Sequence, residues 1–136
     1  MRPAFTAMIA CLALAACVNV NDTPVSTRPA QITTQERGLI QSTIIDGMKD
    51  PASAQLRNLV AYDLSDGQGR AICGEVNGKN AFGGYVGFQP FFMRVKDGRL
   101  VSSYYGTGDP NDLDHFMARK GCGEAATGMM KISSTK

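Results

Sequence analysis

The stretch CGEVNGKNAFGGYVGF, which spans residues 73–88, is the part of the chain from which the fold is most readily predicted. Glycines and asparagines occupy its middle, where a tight turn needs backbone conformations with positive φ. β-Branched and aromatic residues flank that middle, as is typical of strands. The stretch therefore predicts two antiparallel strands joined by a glycine-asparagine turn, and the flanking residues are Ile72, Val76, Val86 and Phe88.

Alternating apolar residues on both sides extend this hairpin into a four-stranded sheet. We expect strands at 56–64, 70–76, 85–95 and 99–105, with turns at 65–69 and 96–98. Because each connection is only a few residues long, an antiparallel meander is the simplest topology. Pro90 cannot donate a hydrogen bond to a ladder, so it predicts an edge position or a bulge in the third strand.

Two helices flank the predicted strands. Thr33 and Glu36 have the spacing of a capping box, and an apolar stripe follows them, which predicts a helix over 33–49. A second helix is expected to begin at Asp109-Pro110 and to end at Gly121. The expected fold is α+β: a four-stranded antiparallel meander sheet with an N-terminal and a C-terminal helix packed on one of its faces.

The first residues, MRPAFTAMIACLALAAC, predict an export signal. Arg2 precedes an apolar run that is too short to span a bilayer, which needs about 20 residues. Leu14-Ala15-Ala16-Cys17 resembles a bacterial lipobox, and this implies cleavage before Cys17 and lipidation of that residue. An ordinary signal peptide with a chance cysteine is the alternative. The expected organisation is a lipoprotein signal peptide at 1–16, the lipidated Cys17 with a flexible tether over 17–31, one globular domain over 32–122 and a flexible tail over 123–136.

The lipobox resemblance also implies where the protein resides. Val18 follows Cys17, in place of the aspartate that holds enterobacterial lipoproteins in the inner membrane. We therefore expect the outer membrane, with the domain facing the periplasm or the cell surface. The membrane would be a partner through the lipid anchor, since two or more acyl chains hold firmly. A formal net charge of +2 gives no reason to expect nucleic acid as a partner.

Cysteine usage predicts one disulfide. With Cys11 in the signal and Cys17 lipidated, Cys73 and Cys122 form the remaining pair in an exported chain. Two free thiols or a metal pair are the alternatives. Two cysteines and the single histidine, His115, are too few for a closed zinc site, which needs four ligands. We therefore expect a disulfide, no metal and no cofactor.

Two segments carry a resemblance to a known family. Residues 49–56, KDPASAQL, match a KDPxSAxF pattern except that Leu56 stands where phenylalanine is usual. Residues 73–91 match the pattern CGxVNxKNxxGGYxGxxxF. In these segments the chain resembles a family of small exported proteobacterial proteins or lipoproteins that has no assigned activity. The resemblance implies one compact domain and offers no catalytic residues.

The turn of the central hairpin is the candidate binding site. Its asparagines, lysine and tyrosine gather hydrogen-bonding groups, a positive charge and a flat aromatic face. Its glycines would let a ligand or another backbone approach closely. Such a site suits another envelope protein or a glycan, whereas the alternative is that asparagine and glycine only build the turn. The candidate residues are Asn77, Lys79, Asn80, Gly83, Gly84 and Tyr85.

These observations favour a non-enzymatic structural or interaction role in the cell envelope. An inhibitor or immunity protein that blocks an enzyme is one alternative, because small disulfide-bonded exported domains suit that role. A small hydrolase is the other, with Cys73 as nucleophile and His115 as base. Such a triad would draw its acid from Asp109, Asp112 or Asp114. A disulfide at Cys73 would remove the nucleophile.

Overall fold

A computed structural model of the protein describes residues 22–133, which form six β-strands and two α-helices. The first helix continues as a π-helical segment, and a short 3₁₀ turn follows. The elements are β1 (Asp22–Ala30), α1 (Thr34–Ile40), the π-helical segment (Gln41–Ile45), the 3₁₀ turn (Pro51–Ser53), β2 (Gln55–Leu64), β3 (Arg70–Asn77), β4 (Gln89–Lys96), β5 (Arg99–Tyr105), α2 (Leu113–Ala126) and β6 (Met129–Ser133). Between residues 22 and 133, no helix has the length and apolar character needed to cross a membrane.

The predicted α+β class and antiparallel sheet are confirmed, but the sheet has six strands and not four. Its order is β5-β4-β3-β2-β1-β6, and all neighbouring strands are antiparallel. The four predicted strands are β2 to β5, and they form the expected meander. The two additional strands, β1 and β6, come from segments that were predicted to be a tether and a tail.

Strand β1 corrects the prediction of a flexible tether for residues 22–30. Two prolines indicated a linker, but β1 pairs with β6 over Asp22–Ser26 and with β2 over Thr27–Ala30. At Pro24 and at Pro29, therefore, only one side of β1 is paired. A proline is tolerated at such a position because its missing N–H can face the unpaired side.

The carboxyl-terminal part of the chain likewise differs from the predicted tail over 123–136. Helix α2 begins after its N-cap Asp112 and passes Gly121, where the sequence predicted its end. A Cβ atom at Gly121 would lie 2.8 Å from the Phe92 ring, so this glycine allows α2 to pack closely on β4. Gly128, with a φ of 89°, follows the helix and leads into β6.

The two helices cover opposite faces of the sheet, and not one face as predicted. Side chains of β3 and β4 alternate between the two faces. Both strands carry apolar residues at consecutive positions, so each needs cover on both sides. The core between the sheet and α1 with its π-helical continuation contains Ile40, Ile44, Ile45, Ile72, Val76, Phe91, Met93 and Val95. The core on the α2 side contains Val25, Leu64, Ala71, Cys73, Phe92, Ala118, Ala125, Met130 and Ile132.

A capping box and an ion pair fix the start of α1. The Thr33 hydroxyl accepts from the Glu36 N–H at 3.2 Å, and the Glu36 carboxylate accepts from the Thr33 N–H at 2.8 Å, as the sequence predicted. Glu36 is 4% exposed and also pairs with Arg70 at the start of β3. The helical run ends with the π-helical segment at Ile45, earlier than the predicted residue 49.

Pro90 lies in β4, which is an inner strand, so the predicted edge position is wrong. It is the second residue of the strand, and its carbonyl accepts from the Gly106 N–H at 3.0 Å, just beyond the end of β5. The N–H that Pro90 lacks would lie at the end of the β4–β5 ladder, so its absence removes only a terminal hydrogen bond. The predicted turn at 96–98 is confirmed, since Asp97 and Gly98 have φ values of 51° and 71°, as a two-residue hairpin turn requires.

The predicted disulfide between Cys73 and Cys122 is present, with Cα atoms 5.7 Å apart. It links β3 to the second half of α2. The two cysteines are 49 residues apart in sequence, so the bond closes a long loop. Closing a long loop restricts the unfolded chain, and the bond is therefore expected to stabilise the folded domain.

Candidate functional site

The candidate binding residues lie in and beside the loop of residues 78–88, which connects β3 to β4. The third predicted strand begins at Gln89 and not at Tyr85. Lys79 and Tyr85 face each other as a single antiparallel bridge, and the Val86 N–H donates to the Gly78 carbonyl at 3.3 Å. The loop thus folds back on itself without forming regular strands.

Asn80 organises the tip of the 78–88 loop. Its side-chain Oδ1 accepts hydrogen bonds from the N–H groups of Phe82 at 2.9 Å and Gly84 at 3.1 Å. Its backbone N–H donates to the Gly84 carbonyl at 2.8 Å, and its carbonyl accepts from the Gly83 N–H at 3.0 Å. Because these contacts occupy the side-chain oxygen, they favour a structural role for Asn80.

Asn77 is also engaged within the protein. It is 8% exposed, and its Oδ1 accepts from the Gly87 N–H at 3.0 Å. Its Nδ2 donates to Oε1 of Gln55 at 3.4 Å, which joins the base of the loop to β2. This geometry favours the interpretation that Asn77, like Asn80, builds the turn.

The two candidate glycines differ in their backbone requirement. Gly83 has a φ of 81°, a conformation that is strained for a residue with a Cβ atom. Gly84 has no such positive φ, and a Cβ atom there would lie 3.8 Å from Oδ1 of Asn80, which is an ordinary contact. The expectation that both glycines meet a backbone need therefore holds for Gly83 only.

Lys79 and Tyr85 fasten the loop to the 3₁₀ turn. The Lys79 N–H donates to the Ser53 hydroxyl at 2.8 Å, and the Tyr85 hydroxyl donates to the Ser53 carbonyl at 3.2 Å. The Lys79 ammonium lies 5.6 Å from the centroid of the Tyr85 ring. Lys79 remains partly exposed and Tyr85 half exposed, so a charge and an aromatic face stay at the surface.

Phe82 is the residue of this loop that the sequence argument missed. Its side chain is 96% exposed, and Tyr85 and Val86 on the same loop are half exposed. We call these three residues the apolar tip. The available signal was an aromatic residue directly before Gly83-Gly84, in the middle of the predicted turn.

The 78–88 loop lies at the opposite end of the sheet from Asp22. Strands β1 and β3 run in the same direction, because each is antiparallel to β2. The first half of β1 lies beside the turn that precedes β3, where the Ser65 N–H donates to the Ser26 carbonyl at 2.9 Å. From that turn β3 extends for eight residues, about 25 Å, before the loop begins.

A groove of about 450 Å³ lies beside α2, on the face of the sheet that this helix covers. The Cys73–Cys122 disulfide lines it, together with Glu75 of β3 and Arg119 of α2. Phe88 lines it as well, so the groove adjoins the 78–88 loop. Of the residues that line the groove, the two cysteines and His115 were candidates from the sequence, whereas Glu75 and Arg119 were not.

Three hydrogen-bond donors hold Glu75 in the groove. Arg57 donates from Nε at 2.8 Å and from Nη2 at 3.2 Å, and Asn58 donates from Nδ2 at 2.7 Å. The hydrogen bonds from Arg57 hold the pKa of Glu75 below its usual value, and the positive charge of Arg119 acts in the same direction. The Arg57 guanidinium also lies over the Phe88 ring, 3.8 Å from its centroid.

A β-bulge in β2 makes this network possible. The register between β2 and β3 shifts between Arg57 and Val60, and Asn58 has a φ of 54°, which is uncommon for a residue other than glycine. In a regular strand, Arg57 and Asn58 would point to opposite faces. The bulge instead lets both side chains reach the carboxylate of Glu75.

The Cys–His arrangement considered from the sequence has no free thiol, because the Cys73 sulfur is bonded to Cys122. His115 lines the same groove, but its Nδ1 is buried and has no hydrogen-bond partner among residues 22–133. Asp112 caps α2, and Asp109 accepts from a neighbouring backbone N–H at 2.8 Å. In the described chain, therefore, no aspartate orients the imidazole through Nδ1 as a catalytic triad requires.

Other predicted features bear on parts of the chain that the structure does not describe. The signal at 1–16, the lipidation site Cys17 and the segments 18–21 and 134–136 lie outside the described residues. Across residues 22–133, no group of three or more histidine, cysteine, aspartate or glutamate side chains could hold a metal ion.

No protein-family model matches the chain, and comparison with curated proteins and with solved structures finds no match either. The resemblance of the two sequence segments to small exported proteobacterial proteins therefore stays an expectation.

Proposed function

We propose that the protein is a lipid-anchored protein of the bacterial envelope with a non-enzymatic interaction role, and that it contacts its partner through the apolar tip. The observation that carries this proposal is the 96% exposure of Phe82 on a loop closed by hydrogen bonds. An aromatic side chain loses favourable burial when it stays in water. Exposed aromatic residues on ordered loops are typical centres of protein interfaces.

The position of the loop supports this role. Lipidation at Cys17 would place the anchor five residues before Asp22, so the membrane attachment and the start of β1 would be at most about 18 Å apart. The domain would then sit next to the membrane, with its Asp22 end toward the lipid. The apolar tip lies at the other end of the sheet, where it would face a partner and not the anchoring bilayer. Val18 supports the outer membrane as the site of attachment.

The chemistry of the apolar tip favours another envelope protein over a glycan. Phe82 would fill an apolar pocket, and Val86 would widen the apolar contact. Lys79, beside the Tyr85 ring, would add a preference for a partner with negative charge at the rim of that pocket. The hydrogen bonds of Asn80 keep the loop in one conformation, which reduces the entropy lost on binding.

An inhibitor or immunity function is a second candidate, and the fixed conformation of the loop favours it. A loop that is closed by Asn80 and fastened to Ser53 can enter the cleft of an enzyme without reorganising. The captured partner would then be an enzyme whose activity falls in the complex. A structural partner would show no such loss.

We also infer that the chain belongs with the small exported proteobacterial proteins that it resembles. The two segments that carry the resemblance meet in the structure, because Ser53 of the first accepts hydrogen bonds from Lys79 and Tyr85 of the second. This contact supports one structural unit made from both segments.

Two experiments test the proposal in cells. Cys17→Ala should abolish labelling with radioactive palmitate and leave the precursor uncut, and persistent labelling would contradict the anchor. A photo-reactive amino acid at Phe82 should crosslink to one defined envelope protein. The same amino acid at Leu100, which is 40% exposed on β5, should not give that product. Equal products from the two positions would contradict a partner bound at the apolar tip.

A further inference from the structure

The groove beside α2 has the features of a second binding site, separate from the apolar tip. Its volume of about 450 Å³ lies in the range of small-ligand sites, roughly 300–1,000 Å³. Apolar surface comes from Phe88, Pro90 and the Cys73–Cys122 disulfide. Its polar side chains are a carboxylate, an amide, a guanidinium, a phenol hydroxyl and an imidazole, and they belong to Glu75, Asn58, Arg119, Tyr62 and His115.

The charges of the groove leave one cation without a partner. Glu75 accepts three hydrogen bonds, two from Arg57 and one from Asn58, so this carboxylate and the Arg57 guanidinium satisfy each other. Arg119 lines the groove and is exposed, and its guanidinium makes no hydrogen bond or salt bridge with any residue from 22 to 133. The groove therefore presents an uncompensated guanidinium, which binds carboxylates more specifically than an ammonium group does.

The bulge in β2 is a second, independent feature of the site. Asn58 adopts a φ of 54°, a conformation that costs a non-glycine residue free energy. Bulges of this kind often re-aim a side chain beside a functional site. Here the Nδ2 of Asn58 donates to Glu75. The Oδ1 of Asn58 accepts no hydrogen bond within the described chain, so it can accept one from a ligand N–H.

We propose that this groove binds a small ligand that carries a carboxylate, with Arg119 as its ion-pair partner and Asn58 as acceptor for an adjacent N–H. The apolar part of the ligand packs on Phe88, Pro90 and the disulfide. Two sources share this chemistry: the carboxyl terminus of a short peptide, and an acidic N-acetylated sugar. Both carry an amide N–H and a carboxylate within reach of one small groove.

The test uses the full-length protein in detergent and ligand-observed NMR titration. The probes are N-acetyl-alanyl-alanine, its C-terminal amide and N-acetylmuramic acid. At least one of the two carboxylate probes should bind with a Kd below about 10 mM. The C-terminal amide of the dipeptide should bind at least about tenfold more weakly than N-acetyl-alanyl-alanine itself. Preference for the dipeptide identifies a peptide terminus, and preference for the sugar identifies an acidic glycan.

Matched variants locate the binding. Arg119→Gln should weaken the better probe at least about tenfold, whereas Lys120→Gln, the neighbouring exposed cation, should leave its affinity unchanged. Both changes are at the surface, and thermal unfolding checks that both variants fold. The proposal is overturned if neither carboxylate binds below about 10 mM, if the amide binds as well as the acid, or if Arg119→Gln binds like the wild type.

Discussion

Asn80 and Gly84 close the tip of the 78–88 loop through two hydrogen bonds, one to the Asn80 side chain at 3.1 Å and one from its backbone N–H at 2.8 Å. Only the first depends on the side chain, which also accepts from Phe82. Asn80→Ala should therefore lower the free energy of unfolding by about 1–2 kcal/mol in urea denaturation. Lys79→Ala is the control, because Lys79 contacts Ser53 through its backbone, and it should change stability by less than about 0.5 kcal/mol. Equal stability of the two variants would show that the side-chain bonds of Asn80 do not hold the loop.

Two glycines of α2 should respond in opposite ways to the same substitution. A Cβ atom at Gly121 would lie 2.8 Å from the Phe92 ring, so Gly121→Ala should destabilise the protein by about 1–3 kcal/mol. Gly123 has no atom within 4 Å of its Cβ position, so Gly123→Ala should stabilise the helix by about 0.5–1 kcal/mol. Thermal unfolding followed by circular dichroism gives both values, and a shift of the same sign for both would contradict this packing of α2 on β4.

Much of the meander could be predicted because its signals are local. The alternation of apolar and polar residues and the Asp97-Gly98 turn each lie within a short segment. The capping box spans only the four residues from Thr33 to Glu36. The disulfide could be predicted because the sequence predicts an export signal and only Cys73 and Cys122 remain to form a pair. Each of these features could be argued without knowing which distant segments meet.

The missed features depend on distant partners. Strand β1 pairs with β6, with Asp22 opposite Ser133. No local pattern around Pro24 predicts that pairing. The local sequence around Gly121 predicts a helix end, whereas in the structure this glycine lies inside α2 because the Phe92 ring packs against it. In the same way, the exposure of Phe82 depends on the path of the loop, which residue types alone do not predict.

Removal of the disulfide should lower stability through the entropy of the unfolded chain. For cysteines 49 residues apart, we expect the Cys73→Ala/Cys122→Ala double variant to lose about 4 kcal/mol. Urea denaturation should show the wild type under reducing conditions approaching this variant. The variant itself should not respond to the reductant, and a wild type insensitive to reduction would contradict the stabilising role of the bond.

The stability contribution of Glu75 should depend on pH. Hydrogen bonds from Arg57 lower the pKa of Glu75 in the folded protein below its usual value of 4.5, so its ionised form is favoured by folding. The contribution is therefore present above about pH 4.5 and is lost as the pH falls through the folded-state pKa. Glu75→Gln should destabilise the protein more at neutral pH than in acid. A deficit of the same size under both conditions, measured by urea denaturation, would rule out this ion pair as its source.

The most direct test of the proposed function measures how tightly the crosslinked envelope partner, once purified, binds Phe82→Ala. Phe82 makes no burial contribution to the fold, so this variant should melt like the wild type and bind the partner at least about tenfold more weakly. Phe116→Ala is the matched control, because Phe116 is 58% exposed on α2, and it should bind like the wild type. Wild-type affinity of Phe82→Ala, or an equal loss in both variants, would contradict recognition through the apolar tip.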